Sequence, residues 1–508
     1  MPALLAVTPI LLILGLMVGL RWPAAAAGLA GLAATLAIAL FGFDFGRATF
    51  AELGPVPAVG GALAEAAFVA VTILWIVFPA LCIYELQLAG GAFEVLKAAL
   101  ARLTDDSRSM AILVAWFFAL FIEGAAGFGT PVALAAPILV SLGFGPVPAV
   151  TLVLIGHAAG VSFGAVGTPV LPQVALTELP GAEIARATGL LHGLLGWILL
   201  AFVVRIAGAA MGVRAGLRDW ILAGAAAACF LVPFLLLSGL VGPELPTLAG
   251  ALIGGLAFVA LLRLRGGGRA AGGAADGGGA GVLLRAMLPY LVLLACILLT
   301  RLVPPVREAL RAVEWAWTLP GGFHGTVQPL YHPGTMLLIG FLAGGALQGR
   351  SARAMGQAAL RAAGRLPLVV VALAAMLALA RLMVHAGMIG TLAEAAAQVF
   401  GPVWPLLAPA VGVLGTFVTG SATASNILLT DFQEATAARL GLPVLWLIAA
   451  QGFGAAVGNI VCPHNIVAGG ATVGLQGREG EVLRRTTLAC AVYAVAGGAL
   501  VWLLAGTG

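Results

Sequence analysis

Charge is scarce in this sequence: 9% of its 508 residues are Asp, Glu, Lys or Arg, against roughly 25% in soluble domains. A soluble chain of this length would need far more polar surface, so the apolar segments must face lipid or one another. The five cysteines (Cys82, Cys229, Cys296, Cys462, Cys490) are scattered through apolar stretches without CxxC or metal-ligand spacing. That excludes a disulfide framework and offers no metal site. No HExxH, no GxSxG and no Ser/His/Asp set of recognisable spacing occurs, which argues against an enzyme. No phosphate-binding loop occurs either, because the Gly-rich stretch 265–281 lacks the GK[ST] ending. ATP hydrolysis is therefore not the energy source, and no cofactor is expected. The net charge of +5 is not gathered into a basic stripe, so nucleic acid is not a partner. The first apolar stretch lacks a positive n-region and is long enough to be a helix in its own right, unlike a cleaved leader.

What is there is hydrophobic length. Of all residues 62% are hydrophobic, and 71 are glycine, which membrane helices use for close approach. A crossing needs about 20 largely apolar residues. About twelve stretches qualify: 3–20, 23–43, 66–85, 109–145, 188–204, 219–240, 245–263, 284–303, 334–349, 366–385, 404–430 and 486–505. Two of them, 109–145 and 404–430, carry Gly/Ser/Thr-rich breaks. Two more stretches, 149–176 and 443–475, are interrupted by Gly-Thr-Pro and Cys-Pro-His-Asn and read as re-entrant hairpins, which membranes tolerate where the backbone is buried or lines a cavity. With the N-terminus outside, nineteen of the 25 basic residues fall in inner loops, Arg21, Arg102 and Arg269 among them, as cytoplasmic loops require. The link 265–281 reads as a flexible cytoplasmic linker. The outer loop 304–333 carries Trp315 and Trp317.

The chain also repeats itself. Gly164 falls on Gly458, Pro169 on Pro463 and His157 on Gln451 at an offset of 294. Phe121 and Gly124 fall on Phe417 and Gly420 at an offset of 296. Equivalent spans then run in opposite directions, the inverted repeat of many secondary transporters. The expected fold is an all-α polytopic membrane protein: an inverted-repeat secondary transporter with about 12 crossings, two broken helices and two re-entrant hairpins. Residues 1–212 form the first repeat, 213–283 two connecting crossings and the linker, and 284–508 the second repeat. A channel, which would need a ring of like residues, fits this pattern poorly.

In such folds substrate binds where helices break, at half-helix ends that offer free N–H groups. The first break supplies Gly127, Gly129 and Thr130, the second Gly167 and Thr168. The third supplies Ser421, Thr423, Ser425 and Asn426, the fourth Asn459, His464 and Asn465. Kinks in packed helices would look similar one at a time; four at repeat-equivalent places favour a site. Glu123, at the first break, is a carboxyl inside the membrane and a candidate to carry a proton. His157 and Asp431 are further candidates for the proton path. Arg381, within an apolar span, suits bidentate recognition of a carboxylate or a structural pair with Glu123 or Glu85. His385, one turn later, and His192 read as residues near outer helix ends.

The runs FIEGAAGFGTPVALAAPILVSLGF and SFGAVGTPV, with the later GSATASNILL, GNIVCPHNIVA, LARLMVHAGM and WTLPGGFHGTV, resemble the lactate permease family over nearly the whole chain. The resemblance implies import of lactate or glycolate, 2-hydroxymonocarboxylates, by proton symport through a prokaryotic inner membrane. The chain departs from the family pattern at Ala422, where an acidic residue stands, at His157, where Asn stands, and at Cys462–Asn465, where Ser-Pro-Gln-Ser stands. Charge balance points the same way. Bringing an anion into a negative interior costs about 2.3 kcal/mol per 100 mV, and one co-transported proton cancels it. Sodium coupling, with another small organic carboxylate, is the alternative. The partners expected are a small carboxylate and lipid, with the chain a monomer or homodimer. A scaffold part would stand still while a part carrying the breaks moves.

Overall fold

The structure is a computed structural model and describes residues 2–20, 22–101, 106–127, 129–265, 277–475 and 477–506. The linker residues 266–276 and the loop residues Arg21, Arg102 and Arg269 lie outside the described residues. Helix dominates, because long apolar segments satisfy their backbone polar groups internally only as helices. Proline opens many of them, as at Pro55, Pro146, Pro246, Pro333 and Pro463, where its missing N–H costs nothing.

Among the described residues, twelve helical segments are long and apolar enough to span a membrane. They are not the twelve expected from sequence. The stretches 3–20 and 334–349 form shorter helices, Pro2–Met17 and Pro333–Leu347, while the bent segments Pro146–Leu176 and Val444–Thr472 are long enough to count. Stretch 109–145 is a helix through Ala125, a break, and a second helix Thr130–Ser141. Its first part contains a π-helical turn, Leu113–Phe118. A further helix, Met388–Phe400, precedes the third break and packs against Ala422–Leu440. The all-helical expectation also misses one hairpin. In the outer loop Trp315–Thr318 pairs antiparallel with His324–Val327, Trp315 opposite Val327.

Two packing groups emerge. In the first, Ala352–His385 lies along Pro55–Ala89 and Ala24–Gly42, with Pro333–Leu347 on Pro55–Ala89. Phe323, from the hairpin's turn, is buried and stacks on Phe50 at 5.1 Å between ring centres. In the second, Trp404–Thr419, Val444–Gly458 and Glu479–Ala505 pack together and against Pro146–His157 and Gly181–Leu195. Approach here is close. A methyl group on Gly412 would stand 2.6 Å from the Gln451 carbonyl oxygen, so only glycine lets these backbones meet. Leu171–Leu176 and Ala422–Leu440, of the second group, touch Pro55–Ala89 and Ala352–His385, of the first.

Candidate functional site

Each break is built by local chemistry legible in its residues. At the first, Gly129 takes a left-handed conformation (φ 78°) as the cap of Thr130–Ser141. The Thr130 hydroxyl donates to the Gly127 carbonyl at 2.6 Å, and Pro131 fixes the first turn. The second break repeats this device: Gly167 is left-handed (φ 82°), and the Thr168 hydroxyl donates to the Ala165 carbonyl at 2.6 Å. Just before it, Ala165 and Val166 are also left-handed, at φ 41° and 56°. For a β-branched residue that is a strained conformation, of the kind that clusters at functional sites. At the third, Gly420 (φ 76°) ends Trp404–Thr419 and the Ser421 hydroxyl caps Ala422–Leu440, accepting from the Ala424 N–H at 3.4 Å. At the fourth, Cys462 precedes Pro463–Thr472, and the Asn465 amide donates to Asn459 Oδ1.

The four breaks converge. A methyl group on Gly127 would stand 3.1 Å from Ala165 Cβ, one on Gly129 3.0 Å from Asn465 Oδ1, and one on Gly420 3.3 Å from His464 Cβ. The Asn426 amide donates to the Pro169 carbonyl at 2.7 Å, tying the third break to the second. Three helix N-termini are thereby brought together: those of Thr130–Ser141, Ala422–Leu440 and Pro463–Thr472. Free N–H groups and aligned peptide dipoles make each a seat for negative charge. The place is reachable: Gly129, Thr130, Gly420 and Ser421 are half-buried, and His464 is exposed.

Charge sorts the buried carboxylates. Four buried acids have cationic or imidazole partners: Glu244 with Arg301 at 2.6 Å, Glu85 with Arg365 at 2.7 Å and Arg361 at 3.1 Å, Asp219 with Arg108 at 2.6 Å, and Glu65 with His385 at 2.8 Å. Glu123 and Asp431 are equally buried, yet among the described residues neither forms an ion pair with Arg or Lys. Glu123 sits at the end of Ala119–Ala125, against Gly164 of the second break. Its Oε2 is 3.9 Å from Nε2 of the fully buried His157. His157 Nδ1 engages the Val153 carbonyl at 2.6 Å, while its Nε2 has no hydrogen-bond partner among the described residues.

Not every residue singled out from sequence gathers here. Ser425 is engaged structurally, donating to the Gly412 carbonyl at 2.9 Å and accepting from Gln451 at 3.2 Å. Asp431 lies ten residues past Ser421 on the same helix, about 15 Å along it, and its Oδ2 has no hydrogen-bond partner among the described residues. Arg381 has neither of the acidic partners anticipated for it. Glu85 is held by Arg361 and Arg365, and the carboxylate beside Arg381 is Glu65, at 3.9 Å. His192, in the last turn of Gly181–Leu195 as expected of a residue near a helix end, is fully buried, between the Ser162 hydroxyl and the Tyr493 hydroxyl, each at 2.8 Å. Sequence reasoning also missed the chain Trp404–Gln433–Gln451, which reaches Asn426 through hydrogen bonds of 2.9, 3.3 and 3.4 Å. The one signal for it was that Gln451 is the repeat counterpart of His157.

Twelve apolar spans around a polar meeting point of broken helices define a multi-pass membrane transporter. The fold agrees: the chain is similar to the YdaH transporter of Alcanivorax borkumensis, with a TM-score of 0.51 at 17% identity over 89% of this chain and 88% of that one. The L-lactate permease family model matches residues 2–506, and the chain belongs to that family. It is 32% identical to an L-lactate permease of Streptococcus iniae, over 88% of this chain and 93% of the relative. It is 29% identical to an L-lactate permease of Bacillus subtilis, over 95% and 92%. It is 27% identical to a glycolate permease of Escherichia coli, over 85% and 84%. It is thus a transporter rather than an enzyme, and a multi-pass protein of the prokaryotic inner membrane.

Proposed function

We propose that this protein imports lactate, glycolate or a related 2-hydroxymonocarboxylate together with a proton. The observation that carries the reading is the buried Glu123 carboxyl, with no Arg or Lys partner among the described residues, beside three converging helix N-termini. The substrate carboxylate accepts hydrogen bonds from the first-turn N–H groups at Gly129, Ala422–Thr423 and His464–Asn465. Pro463 has no N–H to give, so the latter pair serves the third helix. The Ser421 hydroxyl and the Asn465 amide are placed to receive the 2-hydroxyl group. Burying a charged carboxylate is costly unless it is paired, so Glu123 enters the membrane interior with a proton, and His157 provides the next group along the path. Asp431 provides a later one, toward the inner end of Ala422–Leu440. The relatives named L-lactate permease and glycolate permease support the substrate class. The matching order of broken helices in the two halves supports inverted repeats with two re-entrant segments.

Uptake of labelled L-lactate into proteoliposomes under an imposed proton gradient, without sodium, tests this for wild type and Glu123→Gln. The variant should lose gradient-driven accumulation and keep lactate counterflow. Equal accumulation by both proteins would refute the role of Glu123. No uptake of lactate or glycolate by the wild type would refute the substrate.

A further inference from the structure

Arg381 lies on Ala352–His385, in the first packing group, with a side chain 15% exposed. Its Nη2 reaches across to the second group and donates to the Ala175 carbonyl at 3.0 Å. That carbonyl belongs to the last turn of Leu171–Leu176, where helix carbonyls lack internal partners and carry partial negative charge. The contact closes the arm that follows the second break. The rest of the guanidinium is poorly served: its Nε is buried without a hydrogen-bond partner among the described residues. The nearest carboxylate to it, Glu65 Oε2, is 3.9 Å away. Glu65 itself is placed for more than it holds. It is fixed by His385 Nε2 at 2.8 Å and by the His324 N–H at 3.1 Å, all within the first group. Asp431 and Glu434, on the second group's Ala422–Leu440, lie within electrostatic reach of the same guanidinium. A buried guanidinium with an orphan N–H just beyond bonding distance of a carboxylate is an unusual state to maintain.

We infer that Arg381 is a positioning residue that acts as an exchange clasp between the two packing groups, not a ligand of the substrate. In the state seen here it holds the end of Leu171–Leu176. When the second group moves away, the guanidinium falls back by about an ångström and completes its ion pair with Glu65, whose position is already set. Each state thus keeps the charge partnered, and the balance between Ala175 and Glu65 sets the populations. This inference rests on the transport reading only in that the two groups must move relative to each other. It does not depend on the substrate.

Spin labels on Val71 of Pro55–Ala89 and Leu194 of Gly181–Leu195, both exposed, test it in substrate-free protein with the five native cysteines replaced. Pulsed-dipolar distances should show Glu65→Gln, which removes the partner of the other state alone, enriching the separation seen in this structure, and Arg381→Gln, which removes the partners of both states, shifting it in the same direction by less. The Glu65→Gln shift should be roughly tenfold or more in population ratio, as for a hydrogen bond to a charged group. Arg381→Lys keeps the charge but not the fork, and should shift in the Arg381→Gln direction by less. It decides the matter if Arg381→Gln does not assemble. A Glu65→Gln shift that persists undiminished in the Arg381→Gln background, or no shift from Glu65→Gln at all, overturns the inference. So does a rise in the half-saturating substrate concentration for Arg381→Lys with populations unchanged, which would make Arg381 a ligand. For the clasp, turnover changes and half-saturation holds.

Discussion

Gly164→Ala moves the proposed proton carrier without altering it. Gly164 has an ordinary, right-handed-side φ of −63°, so its backbone accepts alanine without strain. The obstacle is a single side chain: a methyl group there would collide with Glu123 Oε1, with the next Glu123 atom at 3.1 Å. To restore ordinary contact the carboxyl must yield by roughly 1 Å, and in a packed interior such insertions cost about 1–3 kcal/mol. Rotating the side chain part-way off its rotamer absorbs about 0.5–1.5 kcal/mol of that. The remainder falls on the spacing between Glu123 and His157. At about 1.4 kcal/mol per tenfold, gradient-driven lactate accumulation should fall by roughly two- to tenfold, while counterflow, which needs no net proton movement, should change far less. Thermal stability in detergent supplies the control. Glu123→Ala removes the obstacle, so Gly164→Ala should destabilise the wild-type protein and cost little in the Glu123→Ala background. Undiminished accumulation by Gly164→Ala, or an equal stability loss in both backgrounds, would refute the reasoning.

Asn426→Ala removes the donor to the Pro169 carbonyl and the acceptor for Gln451, leaving buried polar groups unmatched. A loss of about 1–3 kcal/mol should lower the melting temperature, and Asn426→Asp should not rescue it, because a carboxylate cannot donate to a carbonyl. In the segment before Pro333–Leu347, burial and the Arg301 guanidinium hold His332 down to about 4, below the usual value near 6.5. Its neutral form is therefore the one the fold accommodates. Its contribution to stability is fully present above about pH 6.5 and is lost as the pH falls toward 4. Melting temperatures of wild type and His332→Gln should converge across that window, and parallel curves would count against the assignment.

The spans and the breaks were legible because both are written in local composition. Long apolar runs must be helical in lipid, and Gly-Thr-Pro carries a left-handed cap, a hydroxyl that turns back, and a ring that starts the next helix. What was not legible is of another kind. The partners of Arg381 are set by two helices more than 200 residues away in sequence, and no local pattern ranks Glu65 above Glu85 or Glu123. The π turn at Leu113–Phe118 has the same apolar residues an α-helix would have, and the close approach of Gly156 to its Ala115 carbonyl comes from another helix. Met388–Phe400 is short and amphipathic, so a search for spans passes over it. The hairpin strands Trp315–Thr318 and His324–Val327 alternate too briefly to stand out, and become ordered by Phe323 docking on Gly61.

The tie from Asn426 to Pro169 joins residues 257 positions apart, and this separation bears on how the protein is made. A ribosome delivers the first half to the bilayer long before Asn426 emerges. Through that interval the strained turn at Ala165–Gly167 has no Asn426 to hold the Pro169 carbonyl, and the Gly129 cap has no Asn465 opposite it. Unsatisfied backbone in hydrocarbon costs several kcal/mol per group, so the nascent first half must wait in a wetter or chaperoned setting. Its broken segments settle at depth only when their counterparts arrive. Insertion of this chain is on this reasoning a two-stage event, with the meeting point of the four breaks the last part to be completed.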